Sequence, residues 1–194
     1  MSHPLLCWAV GLFPIMSKNL KIVTVGDGGV GKTSLLVAYT QGSFSDVHEP
    51  TVFENYSGEM VFDGTHYNFT LWDTAGQEHY DRCRVLCYPE TDAFLVCFSV
   101  VNKASFSNVQ SSWLPEIRRE CGDKVPAVLV GTKIDLRKNA QSTSSVSRRE
   151  GRRLAARLGM SNYVECSAKT GQGCQQAFRS AIQATTAKPT CILL

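Results

Sequence analysis

The 194-residue chain has no apolar run long enough to cross a bilayer. Leu5 to Met16 (LLCWAVGLFPIM) is apolar but short, and Pro14 interrupts it. Only His3 precedes it, so the positive segment of a signal peptide is missing as well. Excess charge is also lacking. The net charge is +3, and Lys and Arg are scattered except for Arg148, Arg149, Arg152 and Arg153, which read as one solvated helix face. That balance argues against a nucleic-acid partner. None of the eight cysteines falls in a C-x-x-C pair. Cys97 and Cys166 sit in apolar, strand-like runs, so buried reduced thiols fit better than a disulfide framework. Cys83 and Cys87 lie one helical turn apart, with no third Cys nearby, and do not by themselves make a metal set. There is no internal repeat and no domain linker.

What is present is an alternation of short apolar runs with helical patterns, which predicts a parallel sheet with crossover helices. Leu20–Val25, Ala93–Val100 and Ala127–Val130 read as buried strands, and Tyr163–Cys166 as a last one. Gly58–Phe62 and Tyr67–Trp72 alternate and are joined by Asp63-Gly64, a hairpin signal. Helices are expected over Lys32–Gln41, Ser105–Cys121, Ser147–Leu158 and Gly173–Ala187. Gly42–Tyr56, polar and broken by Pro50, reads as a loop. Ligands of such sheets bind beyond the carboxyl ends of the strands, and the informative motifs lie there.

GDGGVGKT (Gly26–Thr33) follows the first strand and opens the first helix, matching the phosphate-loop pattern G-x-x-x-x-G-K-[ST] in its required context. Gly26, Gly28, Gly29 and Gly31 let backbone amides turn onto phosphate oxygens, and the helix N-terminus adds partial positive charge. Lys32 is placed to reach the β- and γ-phosphates and Thr33 to offer its hydroxyl to Mg²⁺. DTAGQE (Asp73–Glu78) follows the third strand. Asp73 can hold Mg²⁺ through water, Gly76 can bring its amide to a γ-phosphate, and Gln77 can orient an attacking water. In Gly131–Asp135 (GTKID) the Asp135 carboxylate can accept from guanine N1–H and N2–H₂, a donor pair adenine lacks, while the stem of Lys133 covers the base. In Glu165–Lys169 (ECSAK) the amide of Ala168 can donate to guanine O6.

The ordered set GDGGVGKT, PTVFENY (Pro50–Tyr56), WDTAGQE, TKID and ECSAK resembles the Ras-like small GTPases. HYDRCRVLCYPETDAF after Gln77, Thr132 in TKID and the helix with Trp113-Leu114-Pro115-Glu116 resemble the Rho branch. The resemblance, over about Leu20–Leu194, implies an α/β P-loop NTPase fold, a Ras-like G domain with a six-stranded mixed, mostly parallel sheet flanked by helices. It also implies a GTP/GDP switch with bound Mg²⁺. Its nucleotide set falls here on Gly26, Asp27, Gly28, Gly29, Val30, Gly31, Lys32, Thr33 and Ser34, then Phe44 beside the base, Thr51, Asp73 and Gly76. Thr132, Lys133, Asp135, Ser167, Ala168 and Lys169 complete it. Thr33, Thr51 and Asp73 serve the metal, and Gln77, Lys32, Gly76 and Thr51 the chemistry. Attack of water on the γ-phosphorus would be slow, about 10⁻⁴ s⁻¹ as in Ras, and a partner's arginine would add about 10⁵-fold. The γ-phosphate contacts of Thr51 and Gly76 would order two loops that relax after hydrolysis.

The expected division is an apolar extension over 1–17, a G domain over 18–187 and a tail over 188–194. Met16-Ser17-Lys18 would make a natural start, and the segment before it reads first as an extension with no part in the fold, second as an accessory membrane or partner contact with Cys7 as an acylation site. The tail ends in Cys191-Ile192-Leu193-Leu194, a C-a-a-X box whose terminal Leu points to geranylgeranylation of Cys191. Implied partners are an exchange factor, a GTPase-activating protein, effectors on the switch loops and a dissociation inhibitor. The implied location is the cytoplasmic face of the plasma or endosomal membrane, with a cytosolic pool. Three departures stand out: His48 where the family commonly has tyrosine, a short polar loop (Asn139–Ser147) in place of an extra helix, and only Lys188 near the lipid site. His48 would make effector affinity or nucleotide release change between about pH 6 and 8. Two other classes compete: a permanently GTP-loaded scaffold, which Gly28, Ala75 and Gln77 oppose, and a small-molecule phosphotransferase, which has no use for DTAGQE with TKID.

Overall fold

The computed structural model describes residues 17–45, 53–76, 81–139 and 145–186. Strand β1 (Ser17–Val25) is buried over its last four residues and feeds the glycine loop into α1 (Lys32–Gln41). Strands β2 (Phe53–Phe62) and β3 (Thr65–Thr74) form the expected hairpin. Asp63 and Gly64 both take positive φ (47° and 74°), the backbone a tight turn between twisted strands requires. A short α2 (Asp81–Val85) precedes β4 (Ala93–Ser99), buried at every position. Next come α3 (Lys103–Asn108), a π-helical turn (Val109–Trp113) and α4 (Leu114–Cys121). The chain closes with β5 (Ala127–Thr132), a 3₁₀ segment (Ile134–Asn139), α5 (Arg148–Arg157), β6 (Asn162–Glu165) and α6 (Cys174–Thr186).

The six-stranded sheet has the order β2-β3-β1-β4-β5-β6, and all neighbours are parallel except β2 and β3. Both faces are covered, which explains why β4 and β5 read as continuous apolar runs. Ile22, Leu35, Leu36, Phe69, Phe178 and Ile182 belong to the core under α1 and α6. Val23, Phe94, Trp113, Ile117, Leu129 and Leu154 belong to the core under α3, α4 and α5. Consecutive β1 residues thus enter opposite cores, as the two-residue strand period dictates. Among the described residues no helix is long and apolar enough to cross a membrane.

The structure corrects several sequence expectations. The loop read over Gly42–Tyr56 ends earlier, because Phe53–Tyr56 pair with Thr74–Leu71 and Phe53 packs edge-on to Trp72 at 5.1 Å. Strand β1 begins at Ser17 rather than Leu20, since polar Ser17-Lys18-Asn19 still pair with His66-Tyr67-Asn68. The helix expected from Ser105 starts at Lys103, with the Asn102 side chain accepting from the Ser105 amide, and it carries the π turn that no periodicity signals. The exposed arginine face of α5 is as read, and a Ser147–Glu150 capping box starts that helix.

Candidate functional site

The ends of β1, β3, β5 and β6 converge on one edge of the sheet, and the motifs meet there. Gly26, Gly29 and Gly31 take positive φ (141°, 70° and 100°). At Gly26 a β-carbon would lie 2.2 Å from the Cys97 carbonyl oxygen, so only glycine lets the loop leave the strand beside β4. Helix α1 begins at Lys32 without a side-chain cap or an acidic residue in its first turn. Its leading amides are therefore left for an anion. Lys32 is buried and donates to the carbonyls of Gly26 (2.8 Å) and Asp27 (3.0 Å). Burial pushes its ammonium below the ordinary value, against the pull of the Asp73 and Asp27 carboxylates. An incoming phosphate would supply the charge that burial denies.

Thr33 donates to Asp73 Oδ2 over 2.5 Å, bringing a hydroxyl and a carboxylate together at the mouth of the loop. This all-oxygen pair suits Mg²⁺, which takes oxygen ligands. Gly76 lies against the phosphate loop itself: a β-carbon there would meet Asp27 C and Gly28 N at 2.4 Å.

Beside the glycine loop, a cavity of about 230 Å³ is lined by Gly29, Ser34, Phe44, Asp135, Ala168 and Lys169, together with Gly31, Thr132, Lys133 and Cys166. Asp135 Oδ1 accepts from the Ser167 hydroxyl at 2.6 Å, which fixes the carboxylate and leaves it acceptor capacity. Lys133 takes φ 59°, an uncommon conformation for a non-glycine residue, and turns the chain from β5 into the 3₁₀ segment carrying Asp135. Its ammonium donates to Gly29 O over 2.6 Å, laying its stem along the cavity beside the phosphate loop. Thr132 Oγ1 lies 2.5 Å from Val30 O and 3.0 Å from Phe98 O. With one proton to share between them, the Thr132 hydroxyl ties the loop to the sheet. The structure thus brings Gly26–Ser34, Phe44, Asp73, Gly76, Thr132, Lys133, Asp135 and Ser167–Lys169 to one edge. Thr51, Gln77, His48 and Cys191 lie outside the described residues.

A partly buried polar ring behind the phosphate loop has no signal in the sequence. Asp27 accepts from Asn108 Nδ2 (2.8 Å) and from the Trp113 indole N–H (2.6 Å). Arg84, 4% exposed, lies over the Trp113 ring at 4.6 Å and donates to Ala75 O at 3.1 Å. It also forms a two-pronged pair with Glu116 (3.0 and 2.7 Å), which accepts from Tyr88 OH at 2.5 Å. Since Ala75 precedes Gly76, the ring closes back on the phosphate loop. Trp113 and Glu116 stand in the sequence as a family feature only, and nothing in their spacing announces this role.

A family model described as the Ras family matches residues 21–187. The chain is 48% identical over 183 residues to the Ras-like GTP-binding protein RhoL of Drosophila melanogaster, covering 91% of this chain and 95% of that protein. With its glycine loop and sheet order, the chain belongs to the Ras family of small GTPases, GTP-hydrolysing proteins built on a P-loop NTPase G domain.

Proposed function

We propose that the protein is a Rho-like molecular switch that binds GTP and GDP with Mg²⁺ and signals to effectors at membranes, toward the actin cytoskeleton or vesicle traffic. The observation that carries this reading is the placement of Asp135, held by Ser167 on the wall of a cavity whose other wall is the phosphate loop. That carboxylate selects guanine through its N1–H and N2–H₂ donors, while the stem of Lys133 covers one face of the base. The Rho-like part rests on the motifs named above and on the relative's name.

In the hydrolytic step the loop amides and Lys32 hold the phosphates, and Gln77 orients the water for in-line attack on the γ-phosphorus. Thr33, Thr51 and Asp73 would hold Mg²⁺, which when bound neutralises the charge that builds on the phosphate oxygens. Thr51 and Gly76 sense the γ-phosphate, so their loops report which nucleotide is bound. Exchange factor, activating protein, effectors and a dissociation inhibitor act on those loops. A geranylgeranyl group on Cys191 would hold the protein at the cytoplasmic face of the plasma or endosomal membrane, with a cytosolic pool because one lipid anchors marginally.

The test is to identify the nucleotide that copurifies and follow single-turnover GTP hydrolysis with and without a Rho-type activating protein. Bound GDP or GTP and hydrolysis near 10⁻⁴ s⁻¹, raised about 10⁵-fold by the activator, are expected. Copurified ATP, or hydrolysis that no activator accelerates, would overturn the reading.

A further inference from the structure

Five arginines stand on α5, and all are exposed: Arg148, Arg149, Arg152, Arg153 and Arg157. Five cations against the one carboxylate of Glu150 make +4, while the whole chain carries +3, so all other residues together sum to −1. The excess positive charge of the protein is thus confined to one helix. At 3.6 residues per turn the five occupy about half of its circumference, opposite the buried Gly151, Leu154 and Ala155, along about 13 Å of axis.

Solvation alone does not account for this pattern. Arg148 and Arg152, Arg149 and Arg153, and Arg153 and Arg157 are like-charge pairs four apart, each unfavourable to the helix. Arg148 and Arg149 also sit at the positive end of the helix dipole. The one acid, Glu150, is turned onto Ser147 in the capping box, at 2.8 Å from its amide and 2.5 Å from its hydroxyl. Among the described residues none of the five enters an ion pair, and Arg157 donates to the neutral Gln110 at 2.7 Å. A face of mixed charge would keep the helix soluble without these costs. We propose that the arginine face of α5 binds the anionic phospholipids of a membrane, as a second contact beside a lipid on Cys191.

Arginine forks match phosphate oxygens two at a time, and a cluster of this size on one helix face is what an anionic bilayer attracts. The fold places the face suitably. Helices α5 and α6 both lead away from the nucleotide edge, and the start of β6, after α5, meets the middle of α6 where Asn162 Nδ2 donates to Ser180 Oγ at 3.1 Å. From Ser180, α6 runs on to Thr186, and Cys191 stands five residues further, at most about 17 Å of chain. Cys191 is therefore tethered at the end of the molecule where α5 finishes. Strand β2 forms the opposite edge of the sheet, so a bilayer against α5 leaves the β2 side open to protein partners. The pairing with a lipid rests on the membrane reading above; the arginine contact does not. One lipid anchors marginally, and Lys188 is the single cation near Cys191, so α5 supplies the second signal.

The test cosediments the full GDP-loaded chain, unmodified or geranylgeranylated, with vesicles of phosphatidylcholine alone or mixed with phosphatidylserine. The unmodified chain is expected on the anionic vesicles only, and its binding should fall as salt is raised. At about fivefold per arginine, Arg149→Gln with Arg153→Gln should weaken that binding about 25-fold. Arg82→Gln with Arg179→Gln, which removes the same charge from exposed sites elsewhere, should leave it unchanged. The Arg149/Arg153 variant should fold at least as stably as wild type, since it relieves like-charge pairs. With the lipid attached, wild type should stay on anionic vesicles where the variant falls to its level on neutral ones. Equal binding by wild type and the Arg149/Arg153 variant, or equal binding of the unmodified chain to both vesicles, would overturn the proposal. So would retention on polyglutamate or RNA with none on either vesicle, which assigns the face to an acidic protein or a nucleic acid. A chain that accepts no geranylgeranyl group refutes the lipid reading, while the unmodified arm still decides the arginine face.

Discussion

Asp27 accepts hydrogen bonds from Asn108 and Trp113, so the second residue of the phosphate loop is held by a helix on the flank of the sheet. Trp113→Phe keeps a ring for Arg84 to cover but removes the indole donor. It should lower stability by about 1 kcal/mol, since the half-buried Asp27 carboxylate loses one of its partners. Nucleotide release should quicken in the same variant; denaturant titration and the release rate of a fluorescent GDP analogue check both parts. A variant with wild-type values in both would show that the contact does not hold the loop. Much of this site was legible at the residue scale because its chemistry is written in short contiguous motifs: GDGGVGKT, DTAGQE, TKID, ECSAK. The Asp27 ring was not, because its members come from distant segments and each reads alone as an ordinary core or surface residue. Thr132 shows the same limit, since only the fold places its hydroxyl between Val30 and Phe98.

The 3₁₀ segment that carries Asp135 is braced against β6. Arg137 reaches both oxygens of Glu165 (3.0 and 2.6 Å), and Tyr163 OH donates to the same carboxylate at 2.8 Å. Burial pushes the Glu165 carboxyl up, but the bonds from Arg137 and Tyr163 outweigh it and hold it below the ordinary 4.5. A carboxyl lowered on folding contributes stability above that pH and loses it as the pH falls through the folded value. Glu165→Gln should therefore cost about 1–3 kcal/mol at neutral pH, with the gap to wild type closing in increasingly acid buffer. Denaturant midpoints at several pH values read this directly, and a gap constant with pH would remove Glu165 from the account. Strands β4 and β5 were visible as apolar runs because both of their faces are buried. The start of β2 was hidden because it is an exposed edge strand whose pairing with β3, not its own composition, makes it a strand.

The whole molecule is a shared sheet between two apolar layers, so a loss in either is felt by the nucleotide edge. Phe178, fully buried, stacks on Tyr39 at 4.1 Å and lies 6.4 Å from Phe69, joining α6 to α1 and β3. Phe178→Ala should cost about 3–5 kcal/mol. Saturating GDP should restore about 2.7 kcal/mol of this at a hundredfold excess over Kd, measured as a rise in Tm. Unfolding in two steps, or no rescue by GDP, would show that the layers do not act together. The π turn has its own consequence at this scale. On a regular α-helix Asn108 and Trp113, five positions apart, would point about 140° away from each other. The wider turn, closed by the Leu114 amide on Val109 O, winds them back into phase so that both reach Asp27. The helix is thus geared one tooth off along its length. Were that turn to relax to α, Trp113 and Glu116 would rotate away together, and the phosphate loop and Arg84 would lose their grip in one movement.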